Sequence, residues 1–181
     1  MTAPTTTAAD ATLSFTAAQP SPKQQFLDAF RKEAATTLKV LRAYPAEQAE
    51  FRPHPTSNSA RELAWTFVLE QLITEAVLEG RFTLPPNLPP LPATWAEVMA
   101  AYEAGVARLP TVIGDTPEQE LFTTTQFRVG PKQLGEVPKL QVAWLMLCDS
   151  IHHRGQLSVY LRMVGGKVPS IYGPSRDEPW S

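Results

Sequence analysis

Apolar side chains recur along this chain at steps of three and four, the period of a helix that buries one face. Phe26, Phe30, Ala34, Leu38 and Leu41 form the first such stripe, with Lys32, Glu33 and Lys39 off it. Ser21 followed by Pro22 supplies an N-cap and a first-turn proline, so a helix is predicted to open there and to stop at Pro45. Pro45, Pro53, Pro55 and Asn58 mark the loop that follows. Ser59, with Glu62 three residues on, is a capping box that opens a second helix. Leu63, Phe67, Glu70, Thr74 and Leu78 run down one side of it, and Gly80 suits its end. Prolines 85, 86, 89, 90 and 92 make the next stretch extended. Thr94 and Glu97 form another capping box, and a third helix is predicted from there to Leu109, stopping at Pro110. A long crossover from Thr111 to Val137 follows, with a short extended piece at Phe122 to Val129, where Thr, Phe and Val favour strand. Pro138 begins the longest helix, which Gly165 and Gly166 end.

Four such segments joined by long crossovers, without strands for a central sheet, predict an all-α four-helix bundle. The expected organisation is a single helical domain over 21–181 behind a Thr/Ala-rich leader, 1–20, that reads as disordered. The leader has neither a basic nor an apolar region of the signal-peptide kind.

Composition narrows the function classes. Hydrophobic residues are 43% and charged residues 19% of the chain, and the net charge is -2. No basic run or stripe would hold a nucleic-acid backbone, and no apolar stretch reaches the length of about 18 residues that spans a bilayer. Neither a nucleic-acid nor a membrane partner is expected. A single cysteine, Cys148, excludes an internal disulfide and fits a reducing cytoplasm. Beside Asp149 it reads as a small buried hydrophobe.

The chemistry concentrates in Asp149-Ser150-Ile151-His152-His153-Arg154-Gly155-Gln156-Leu157. Asp149 and His153 stand four apart and share a helix face, which Gln156 and Tyr160 continue. A carboxylate and an imidazole so placed can chelate one divalent metal, or can hydrogen-bond each other, the carboxylate orienting the ring. Arg154 reads as a salt-bridge partner. Gly155 costs about 1 kcal/mol in mid-helix relative to Ala, for which close approach of another helix would be the reason.

The run His152-His153-Arg154-Gly155-Gln156-Leu157, with Tyr160-Leu161-Arg162, Gly165, Pro169 and Tyr172-Gly173, resembles the last helix of the DinB-like (YfiT-like) family. Phe51-Arg52-Pro53-His54-Pro55, then Ser59-Ala60-Arg61-Glu62-Leu63-Ala64-Trp65, is similar to that family's second-helix entrance. The resemblance covers about residues 22 to 173 and implies an up-down-down-up bundle, a homodimer, and a divalent metal, zinc or nickel, held by three histidines. Those positions are Thr66, Asp149 and His153 here, so only His153 is kept. Asp149 can replace an imidazole, whereas Thr66 leaves the third-ligand position vacant. The cation is then expected to be weakly bound or absent unless Glu70, one turn below Thr66, completes the site. The resemblance also implies a metal-dependent enzyme, a thiol-dependent S-transferase with a small-molecule thiol as cosubstrate and Glu70, Gln156 and Tyr160 around the pocket. The alternative is a non-catalytic, stress-associated dimer or small-ligand-binding paralogue with a degenerate site. No residue is assigned as catalytic.

Overall fold

The computed structural model describes residues 19–180. Its elements are helix α1 (Pro22–Ala43), helix α2 (Ala60–Leu78), helix α3 (Trp95–Asp115), strands β1 (Thr124–Gly130) and β2 (Gln133–Pro138), and helix α4 (Lys139–Met163), with short 3-10 turns at Ala46–Gln48 and Glu118–Phe122. The first 18 residues, and with them nearly all of the expected leader, lie outside the described residues.

The helix starts follow the capping residues. Ser21 Oγ accepts from Gln24 N at 3.3 Å, and Ser59 and Thr94 each close a full capping box with Glu62 and Glu97. The ends differ from expectation at one place. Helix α3 runs through Pro110 to Asp115. The missing proline N–H and the ring clash cost about 3 kcal/mol in a helix interior. Leu109 and Ile113 are both buried one turn apart on the inner face, and burial is worth about 1.5–3 kcal/mol for each such side chain, so packing carries the helix past the proline. Lys23 Nζ, from the first turn of α1, then donates to the carbonyls of Gly114 and Thr116 at 2.6 Å each and satisfies the C-terminus of α3.

Contacts fix the directions. Helix α1 meets α3 tail to head, through Lys23 with Thr116 and Tyr44 stacked on Trp95 at 4.9 Å. It runs parallel to α4, with Phe26 edge-on to Trp144 at 5.1 Å and Glu33 beside Arg154. Helix α2 lies antiparallel to α4 and parallel to α3, where Phe67 meets Tyr102 and Glu75 meets Arg108. The topology is therefore up-down-down-up, with α1 diagonal to α2. Helix α2 reaches α3 at Gly105, where an added Cβ would stand 1.9 Å from Gln71 Oε1 and would require the Gln71 side chain to move.

One core cluster joins Leu41, Phe67, Trp95, Tyr102, Leu157 and Leu161, and a second joins Phe26, Phe30, Leu109, Ile113, Leu121 and Leu147. The expected extended piece is present as β1, but it pairs antiparallel with β2, giving a two-stranded sheet that the all-α expectation lacked. Phe127 of β1 is buried over α4 with Val77, Val142 and Met146, which anchors the hairpin to the bundle. Glu33 and Cys148 reverse their expected places: Glu33 is buried and Cys148 is exposed. No helix among the described residues is long and apolar enough to cross a membrane.

Candidate metal centre

The candidate site lies between the first half of α2 and the middle of α4. The antiparallel crossing brings Thr66 and Glu70, one turn apart, against His153. Glu70 is buried, and its carboxylate is engaged on both oxygens. Oε1 accepts from His153 Nδ1 at 2.8 Å, and Oε2 accepts from Ser150 Oγ. Thr66 donates its hydroxyl to the Leu63 carbonyl at 2.6 Å, and its oxygen stands 3.4 Å from His153 Nδ1. On the other side of the ring, His153 Nε2 faces Asp149 Oδ1 at 4.0 Å, across the i, i+4 step. One ligand atom from each of Glu70, Asp149 and His153 can be chosen so that all lie within 4.8 Å of one another.

Burial pushes the Glu70 carboxyl above its ordinary value, against the hydrogen bonds from His153 and Ser150. The hydrogen bond to Glu70 raises the His153 imidazole, against partial desolvation. Both shifts favour the proton-bound form of the pair, in line with the hydrogen bond between His153 Nδ1 and Glu70 Oε1. A divalent cation would replace that proton, since it offsets two carboxylate charges and takes a neutral imidazole as donor.

His153, Gln156 and Tyr160 line an open cleft of about 570 Å³ with Asn58, Leu63 and Val159. Tyr160 donates its hydroxyl to the Asn58 carbonyl at 3.3 Å and packs edge-on to Phe51, which ties α4 to the loop before α2. Glu70 lies behind the imidazole instead, on a separate small cavity of about 20 Å³. His152 turns to solvent and to Gln156 Nε2, 3.0 Å away, so it stands outside the cluster.

Arg154, which follows His153, faces α1 and is buried. Its Nη2 donates to Glu33 Oε2 at 2.7 Å and to the Tyr172 hydroxyl at 2.5 Å, and its Nη1 donates to the Glu33 carbonyl at 3.1 Å. Tyr172 OH in turn donates to Glu33 Oε2 at 2.7 Å. Sequence reasoning put Glu33 on the solvent side. Its one available signal was its place next to Ala34 of the apolar stripe, within reach of a helix carrying an unpaired arginine. Gly155 has no neighbour within 4 Å of an added Cβ, so no helix among the described residues explains it.

The DinB family model matches residues 14–180. The chain belongs to the DinB family. This DinB-family chain is 26% identical over 157 residues to YrdA, an uncharacterized protein of Bacillus subtilis, a match covering 84% of this chain and 89% of the relative. Its fold is similar to the crystal structure of a DinB-like protein from Bacillus cereus, with TM-score 0.68 and 21% identity over 81% of this chain and 95% of the other. It is also similar to the DinB-like protein YjoA of Bacillus subtilis, with TM-score 0.64 and 19% identity over 80% and 96%.

Proposed function

We propose that this DinB-family chain is a divalent-metal protein whose cation is held by Asp149, His153 and Glu70 between α2 and α4, and that it acts on a small molecule bound in the open cleft that His153 lines. The observation that carries the reading is that Glu70, Asp149 and His153, drawn from two helices, can each offer a ligand atom within 4.8 Å of the other two. The family resemblance makes the finer reading a thiol-dependent S-transferase using zinc or nickel. A bound dication would lower the pKa of a thiol that reaches it and supply thiolate at neutral pH. The chain's own residues do the remaining work. Gln156 and Tyr160 offer hydrogen-bonding groups to a ligand, while Leu63 and Val159 give the cleft an apolar wall.

A second reading has its own support. Glu70, His153 and Ser150 already satisfy one another by hydrogen bonds, which is how a non-catalytic, small-ligand-binding relative with a degenerate site would be built. Zinc titration of untagged, chelator-free protein separates the two. Metal uptake at a one-to-one ratio, lost in His153→Ala, is the expected result. Thr66→His places a second imidazole beside His153 and is expected to tighten zinc binding by about tenfold or more. Failure of wild-type protein to bind zinc, nickel or manganese would leave the degenerate-site reading standing.

A further inference from the structure

The donor atoms at this centre differ in kind from a three-imidazole set. Glu70 and Asp149 offer carboxylate oxygens, and only His153 offers nitrogen. Oxygen donors suit hard cations such as manganese(II) and magnesium, whereas imidazoles favour zinc and nickel. Charge acts in the same direction. Three imidazoles leave a dication's charge uncompensated, while two carboxylates cancel it, and here one of the carboxylates is buried. Coordination number is the third consideration. Zinc is satisfied by four close ligands, but manganese(II) takes about six, mostly oxygen. Asp149 is about half exposed at the edge of His153, and the cleft beside the ring, about 570 Å³, has room for solvent and ligand oxygens.

We propose that the donor set of two carboxylates, Glu70 and Asp149, and one imidazole, His153, makes this centre a site for a hard divalent cation of the manganese(II) class. The inference rests on the metal-centre reading above and departs from the zinc or nickel and the thiol that the family resemblance implies. The substrate class shifts accordingly. A hard cation engages oxygen donors, such as carboxylate, hydroxyl or phosphate groups, better than a thiol sulfur, so the cleft is fitted to an oxygen-rich ligand.

Zinc outranks manganese in absolute affinity on almost any protein site, so the quantity that decides is the ratio of the two affinities. It is measured by competition calorimetry on the full, untagged chain and on Asp149→His, whose side chain is at the surface and leaves the core untouched. The zinc-to-manganese ratio is expected to rise by about tenfold or more in Asp149→His. Bound manganese(II) is expected to give a paramagnetic resonance signal that Asp149→Asn weakens while the circular dichroism stays unchanged. An unchanged ratio in Asp149→His, with both metals binding the wild type, would overturn the hard-cation inference and leave the metal centre intact. Absence of binding by both metals would overturn the metal centre and the inference together.

Discussion

At the scale of single residues, the most consequential contact outside the candidate centre is the one Arg154 makes. A guanidinium with almost no solvent access is tolerable only because Glu33, Thr37 and Tyr172 surround it. Arg154→Ala would strand the Glu33 carboxylate in the bundle, and removing one partner of a buried pair costs about 3–5 kcal/mol. Urea unfolding of Arg154→Ala is expected to show a loss of that size, with Tyr172→Phe losing about 1 kcal/mol, the worth of one hydrogen bond. A loss under about 1 kcal/mol for Arg154→Ala would mean that water reaches the pair. The same residues show what a sequence can and cannot disclose about a site. Asp149 and His153 were legible because four residues of helix impose a shared face. Glu33 was not, because its partner lies on a helix more than a hundred positions away and no local pattern encodes that pairing. Glu70 stood on the apolar side of α2 from the beginning, and a carboxylate at such a position is a signal that something answers it.

At the scale of elements, local chemistry set the helix starts and tertiary packing set at least one end. The capping boxes at Ser59 and Thr94 begin α2 and α3 where the sequence puts them, whereas Pro110 failed as a stop because Leu109 and Ile113 pay for the continuation. Strand β2 went unread because Gln133-Leu134-Gly135-Glu136-Val137-Pro138 has weak alternation and ends on proline; only pairing with β1 makes it a strand. Glu62 gives the α2 entrance a pH dependence. Its carboxylate accepts from Arg52 and from Ser59 N, each at 2.7 Å, and the Arg52 hydrogen bond is the main cause that holds it below the usual glutamate range. A depressed folded pKa means stability that is complete above the unfolded value near 4.3 and is lost as pH falls through the lower, folded value. The difference in urea midpoint between wild type and Glu62→Gln is therefore expected to be larger at pH 7 than at pH 3. Equal differences at the two pH values would show that the hydrogen-bond geometry, and not the charge, supports the cap.

At the scale of the molecule, up-down-down-up threading follows from placing α1 diagonal to α2, and it needs the long connections that the prolines at 85–92 and the hairpin supply. Helix α4 is the member with a second stripe. Leu145, Cys148, His152, Gly155 and Val159 follow one another at steps of three and four on its outer side, all exposed. That is the seam spacing of a paired helix, and a glycine at its middle would permit close approach. A second copy crossing α4 near Gly155 is the expected partner, in keeping with the homodimer anticipated from the family resemblance. Light scattering at micromolar concentration is expected to give twice the monomer mass, and Val159→Glu to halve it. A monomer mass for the unaltered protein would exclude this arrangement.

The hairpin carries a hazard of a different sort. A sheet of two strands has only edges, so each of its outer sides presents backbone groups that another chain's strand could adopt as a template. Val129 and Leu134 stand exposed beside those edges, which is the composition that seeds stacking. Arg128, Lys132 and Glu136 interrupt it with charge, and Lys132 adopts a left-handed backbone, φ 59°, that turns the tip. In this light the charged residues of the hairpin act as gatekeepers, guarding the folded protein against growth into fibrils, whatever the cleft further along α4 binds.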